Sequence, residues 1–352
     1  YFVGWPALQA PGVWLGVAEY MNAFYSGLVI PPLYFASRRL TGSVSRSRIV
    51  TLLYLVAPFT LIAAGTEMSH TTCLMALTYC LWLTLRCRDE GARWWDFAGV
   101  AFFFSLAFFI RALSALGLGL PMLVWALWGI WRKPRGVALK RVAAFAVPAA
   151  AMAGLFFAVN YVQNEDPFQV SYVEVREYEE DNEHRFGRAK QKEGEVSAFD
   201  ARKPQIALAR TGMATVRLLA ASFGWPCLLL ILPFALGRRS RLIWATLLTF
   251  FAAHFFVRDA GIDTYGPVHF FETMLPLLLL VGIALGRIGR MAERLTTGGD
   301  RLFGRLVGGA ALAVVLLASF SVYYPIRFEA VHRITDAYHT PIELVEEKAE
   351  KP

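Results

Sequence analysis

The chain is 352 residues long, 56% hydrophobic and only 18% charged, with a mean hydropathy of +0.45 and a formal net charge of +8. Soluble domains carry about 25% charged residues and have no need of repeated long apolar runs, so this composition excludes a water-soluble enzyme or binding module. The basic residues fall in short clusters between apolar runs, which excludes a nucleic-acid-binding face as the reason for the charge.

In chain order, the segment "YFVGWPALQAPGVWLGVAEY" precedes a series of apolar runs near 22–37, 49–66, 70–85, 95–110, 112–131, 142–162, 214–236, 242–257, 267–286 and 304–323. Each approaches the ~20 residues that a helix needs to cross about 30 Å of hydrocarbon. The expected fold class is therefore all-α: a polytopic membrane protein of about ten transmembrane helices. The connections at 38–48, 86–93, 132–141, 238–241 and 287–305 are rich in Arg and Lys, whereas the alternate short connections hold only Arg111 and Arg258. Positive loops stay cytoplasmic. The reading thus gives N-terminal membrane helices over 1–162, an extracytoplasmic loop over 163–213, C-terminal membrane helices over 214–323 and an extracytoplasmic tail over 324–352. The first run enters from outside with no cleavable signal before it, so the reading expects at least one further span upstream of Tyr1.

The loop 163–213 contains "EVREYEEDNEHR", a solvated charged stretch. Cys73, Cys80, Cys87 and Cys227 lie in or beside apolar runs at no metal-like spacing and read as small buried thiols. No metal site and no cofactor is expected.

Titratable variety gathers at the extracytoplasmic ends of the runs. Glu67 and His70 stand in "AAGTEMSHTT", Arg111 in "FFIRALSALGLGLP", and Arg258, Asp263, Tyr265, His269 and Glu272 around the last outside turn, "DTYGPVHFFETMLP". A carboxylate one turn into an apolar helix is costly unless it faces water or a cation, and Glu272 sits in that position. An arginine on the side of the membrane that the charge rule disfavours asks for the same explanation. Guanidinium holds phosphate bidentately, and a carboxylate can orient that guanidinium or accept a proton. Together these eight residues suit an anionic, lipid-linked substrate. Each also has a structural reading, as a cap, a loop residue or a snorkelling side chain.

The ordered elements "GWPALQAPGVWLGV", "PPLYFASRRLTG", "EMSHTTCLMALTYCLWL", "IRALSALGLGLP", "NYVQNEDPF", "SFGWPCLLL" and "YGPVHFFETMLPLLLL" resemble bacterial membrane glycosyltransferases of the GT-C superfamily, the group related to protein O-mannosyltransferases and aminoarabinose transferases. The resemblance runs over nearly the whole chain. It implies a multispan helical fold in the bacterial inner membrane, with the active face extracytoplasmic. It also implies a polyprenyl-phosphate sugar donor and an extracytoplasmic acceptor on a glycan, lipid or protein. Its catalytic base is an acidic residue in the first outside loop, ahead of the "GWP" element and hence upstream of Tyr1, so the chain reads as an N-terminally truncated GT-C fold. Two elements depart from the pattern: Val268 and His269 follow the "GP" where relatives commonly carry Arg and Tyr, and Ala112 follows Arg111 where relatives often carry Pro.

Two other classes stay open from sequence. A transporter or flippase of lipid-linked intermediates would need no general base but should show paired broken spans or internal repeats, and neither is evident. A non-catalytic membrane scaffold would be compatible with Val268.

Overall fold

The structure, a computed structural model, describes residues 4–130, 134–168, 204–223, 231–255, 266–296, 300–333 and 335–336. Among these residues the regular structure is entirely helical. The helices are α1 (Gly4–Leu15), α2 (Met21–Thr41), α3 (Val44–Val56), α4 (Pro58–Ala64), α5 (His70–Arg86), α6 (Trp94–Ile110), α7 (Ala112–Trp128), α8 (Arg135–Asn164), α9 (Pro204–Phe223) and α10 (Arg241–His254). A 3-10 turn, Val268–Thr273, then leads into α11 (Met274–Leu295), and α12 (Arg301–Arg333) follows.

Local chemistry sets several boundaries. Gly42 closes α2 in the left-handed conformation (φ 66°), returning its N–H to the Arg38 carbonyl. The Ser43 side chain caps α3 and the Asp300 side chain caps α12, each accepting from backbone N–H groups of the first turn. Pro58 opens α4, where its missing N–H costs little.

Three described helices, Arg135–Asn164, Val268–Leu295 and Arg301–Arg333, are long and apolar enough to cross a membrane, four if α3 and α4 are taken as one span bent by 56°. Trp94–Ile110 and Ala112–Trp128 are apolar but shorter. The count of ten stays an expectation of the apolar runs. The unbroken reading of 49–66 did not anticipate the 56° bend between α3 and α4. Ala57 is extended (ψ 127°), as the residue before a proline prefers to be, and that ends α3. The helix from Arg301 also runs on to Arg333, ten residues past the apolar run that announced it.

The bundle is graded from centre to rim. α11 is its central post: 94% of its membrane-length window is buried, against 17% for α12 and none for α8. α11 packs against α2, α3, α10 and α12, while α8 lies on the outside of α6 and leaves many apolar side chains, such as Leu139, Val147 and Leu155, exposed. On the other side, α5 is sandwiched between α2 and α6 and is buried almost throughout. Two of its threonines satisfy their hydroxyls on main chain in this apolar setting, Thr78 on the Leu74 carbonyl at 2.6 Å and Thr71 on the Ala63 carbonyl at 3.2 Å. Cys73, Cys80 and Cys87 are free, buried thiols; Cys227 lies outside the described residues.

α7 contains a π turn, Ala115–Gly119, against which α10 packs closely. A Cβ at Gly117 would stand 2.9 Å from the Phe250 Cα, so only glycine admits this approach. The Thr249 hydroxyl bonds the Gly117 carbonyl at 2.6 Å across the contact, which supplies one partner that the irregular turn leaves over. The packing brings the end of α10 alongside the 3-10 turn before α11.

Candidate functional site

Three breaks in helical structure meet at one end of the bundle. The first is the loop before α5, where the chain emerges from α4 at Gly65 and re-enters helix at His70. Asn22, at the start of α2 and 1% exposed, holds this loop by donating its side-chain amide to the carbonyls of Thr66 and Met68. The second is Arg111, whose extended conformation (φ −152°, ψ 89°) separates α6 from α7. Neither Pro nor Gly causes this break, since Ala112 and Leu113 are good helix formers. The tertiary contacts of the Arg111 side chain account for it. The third is the 3-10 turn Val268–Thr273. It begins after Gly266, whose φ of 91° is open to glycine and strained for other residues, and after Pro267.

The side chains carried by these breaks form one buried cluster. Glu272 is fully buried, and its Oε1 lies 2.9 Å from Arg111 Nε and 3.2 Å from His70 Nδ1. Arg111 Nη2 is 3.0 Å from His269 Nδ1, and Nη1 is 3.5 Å from the Ser69 hydroxyl. Guanidinium can only donate, so Nδ1 of His269 accepts and the proton of that neutral ring sits on Nε2. The Glu272 carboxylate can only accept, so Nδ1 of His70 donates. The two histidine rings lie 5.9 Å apart, and Phe271 stands edge-on to His70 at 6.3 Å. His70 is 4% exposed, whereas the Arg111 side chain keeps 20% of its surface open, enough to meet an incoming group. Glu272 Oε2 is buried without a hydrogen-bond partner among the described residues, leaving room for one further donor.

His70, Arg111, His269 and Glu272 are thus brought together. Glu67 is not: its side chain is exposed and lines a separate cavity of about 480 Å³ with Phe328, Val331 and Thr335. In that loop the carbonyls on either side of Glu67 are the ones Asn22 fixes, and the carboxylate turns outward. Arg258, Asp263 and Tyr265 lie outside the described residues. Among the described residues no group of three or more His, Cys, Asp or Glu side chains could hold a metal ion.

Two neighbours of the cluster escaped the sequence reading. His254 is 3% exposed, stacks on Phe250 with centroids 3.8 Å apart, and has Nδ1 3.0 Å from the Phe250 carbonyl. It feels the charges of both Glu272 and Arg111. The available signal was a lone titratable residue inside the apolar run "TFFAAHFF". Asn22 is the other, a buried amide at the entry of a span. Replacing it with Leu should remove both carbonyl contacts and cost about 1–3 kcal/mol of stability. Thermal unfolding in detergent would show this, and an unchanged midpoint would mean the loop is fixed by other contacts.

No protein-family model matches the chain, and no curated protein matches it at significance. Solved structures do. The chain superposes on ArnT from Cupriavidus metallidurans in the apo state with a TM-score of 0.57 and 15% identity, covering 93% of this chain and 66% of that one. Against the same protein bound to undecaprenyl phosphate the values are 0.55 and 16%, with 95% and 68% coverage. The chain has the ArnT fold. It spans about two thirds of the length of the ArnT chains. The likeness to GT-C glycosyltransferases carried by the ordered sequence elements therefore holds at the level of the ArnT fold. The four clustered residues come from "EMSHTT", "FFIRAL" and "YGPVHFFE", three of the segments that carry that likeness.

Proposed function

We propose that the protein is a bacterial inner-membrane glycosyltransferase. It moves a sugar from a polyprenyl-phosphate donor to a hydroxyl of an extracytoplasmic glycan, lipid or protein. The observation that carries this reading is the partly open Arg111, held by buried Glu272 on an ArnT fold, one solved example of which is bound to undecaprenyl phosphate. A phosphate needs fork-shaped donors with a fixed direction, and the Arg111 guanidinium, ion-paired with Glu272 at 2.9 Å, has them. His269 Nδ1 holds one terminal nitrogen, Nη2, at 3.0 Å. Glu272 also offsets the charge of the guanidinium in the resting state, so the site is not a bare charge in a low-dielectric setting. Glu272 is committed to this positioning role, and the general base is assigned to none of the four.

In this reading the donor is recognised at the cluster by its lipid phosphate, through Arg111. The direct test uses membranes bearing the complete protein, a labelled polyprenyl-phosphate sugar and a mixture of envelope acceptors. Label appearing covalently on an acceptor supports transfer. Label that only crosses the bilayer, still attached to the lipid, would give the flippase reading instead.

The orientation has its own check. Single cysteines placed beside Arg135 and Arg239 are expected to react only with membrane-permeant reagents, and one at position 183 with impermeant reagents in intact cells. Labelling of position 183 from the cytoplasm would reverse the orientation and the sidedness of the proposed reaction.

A further inference from the structure

A second concentration of arginine lies at the opposite end of the bundle from Glu272. Here α2 ends at Leu40 and Thr41, and α11 has run on about 20 Å from Met274 at 1.5 Å per residue. A cavity of about 480 Å³ opens there, and Arg46, Arg238, Arg239, Arg287 and Arg290 all line it beside Thr41. No acidic residue is among its lining. The charge rule explains why arginines collect at this end of the molecule. It does not explain why five converge on one cavity.

Neighbouring arginines are accommodated differently. Arg39 pairs with Asp89 at 2.6 Å, Arg86 pairs with Asp96 at 2.9 Å, and Arg88 lies 4.2 Å over the Trp125 ring. Around the cavity, Arg287 is fixed through the carbonyls of Phe234 and Leu236. Arg46, Arg238, Arg239 and Arg290 have no carboxylate partner among the described residues, and Arg239 and Arg290 act on Arg46 as like charges.

The backbone is shaped around this crowding. A Cβ at Gly286 would overlap the Arg46 guanidinium, and one at Gly237 would overlap that of Arg287. Two glycines therefore leave the space in which two guanidinium groups lie at the cavity wall. Like charges gathered in a half-enclosed space repel, and only an anion or bulk water offsets that repulsion.

We infer that this arginine-lined cavity is a binding site for a phosphate-bearing anion, distinct from the Arg111–Glu272 cluster. Guanidinium forks match tetrahedral phosphate oxygens in a way that point charges do not. A basic pocket between helix ends at the membrane surface suits the headgroup of an anionic phospholipid, and a soluble phosphate would present the same chemistry. The inference does not rest on the glycosyltransferase reading, since it concerns the other end of the fold.

The test compares two triple variants of the complete protein in detergent. One is Arg46→Gln with Arg239→Gln and Arg290→Gln. The other, Arg48→Gln with Arg294→Gln and Arg305→Gln, removes the same charge from neighbouring positions outside the cavity lining. Retention of phosphatidylglycerol relative to phosphatidylcholine is read by native mass spectrometry, and inorganic phosphate and pyrophosphate are titrated separately. The cavity triple is expected to lose at least about tenfold in affinity for the anion, while the second triple stays near wild type. Preferential lipid retention identifies a headgroup as the source, and saturable pyrophosphate or phosphate binding without lipid preference identifies a soluble one. Equal losses in both triples, or binding of no anionic probe by the wild type, would overturn the inference. A measurement on the unmutated protein guards against misfolding. Bound anion should protect Arg46, Arg239 and Arg290, but not Arg48 or Arg294, from phenylglyoxal, and uniform reactivity would count against the site.

Discussion

Arg111→Ala is expected to be the most damaging single change in the molecule, costing about 3–5 kcal/mol of stability and abolishing binding of polyprenyl phosphate. The stability loss follows from Glu272, which is fully buried and would be left with His70 as its remaining polar neighbour. Removing one partner of a buried pair costs that much because the surviving charge stays desolvated. The binding loss follows from the guanidinium itself. The two effects can be separated. The double variant Arg111→Leu with Glu272→Leu removes both charges together and should recover most of the stability, since apolar replacements of a buried pair are often neutral or better. It should not recover lipid binding. Thermal unfolding and retention of undecaprenyl phosphate, measured on the single and double variants, complete the cycle. A double variant that still binds the lipid as well as wild type would reduce Arg111 to a structural ion pair.

Glu272→Gln is the subtler experiment and bears on turnover. The amide keeps the size and can still accept from His70, so the fold should survive. What it loses is the charge that holds the Arg111 Nε at 2.9 Å. Sugar transfer is expected to fall by one to two orders of magnitude, about 1.4–2.8 kcal/mol of transition-state stabilisation. A positioning role predicts a second signature that a merely structural one does not. Glu272→Asp, which keeps the charge but shortens the reach, should recover part of the rate, with most of the remaining deficit in kcat. Wild-type turnover in Glu272→Gln would remove the carboxylate from the site.

The helical class was legible because 56% of the residues are apolar and arrive in long runs. Individual boundaries were less so. The run 49–66 gave no sign of the 56° turn beyond Pro58, and the helix from Arg301 outlasted its apolar stretch, continuing through the polar sequence "RFEAVHR". At the site, sequence singled out Glu272 by the cost of a carboxylate in an apolar helix, and Arg111 by its break with the charge rule. It left Arg111, Arg258 and His269 as equal candidates for the partner, because nothing local records which loop ends meet. Asn22 and His254 went unremarked since each is one polar residue beside a long apolar run. Their importance comes from the main-chain carbonyls and rings they meet in three dimensions. Glu67 looked like its neighbour His70 in sequence, and only the clamp on the flanking carbonyls shows that the two side chains part company.

The burial of α11 has a consequence for biosynthesis. A helix covered to 94% by segments on both sides of it in the chain cannot find its place until those segments exist. Arg111 leaves the ribosome long before Glu272 does, so the segment carrying it enters the bilayer as an uncompensated cation and stays so while α8, α9 and α10 are made. Translation halted before Val268 yields a nascent protein whose central post is missing and whose guanidinium lacks its counterion. Such an arrested product lacks the contacts that define the native bundle.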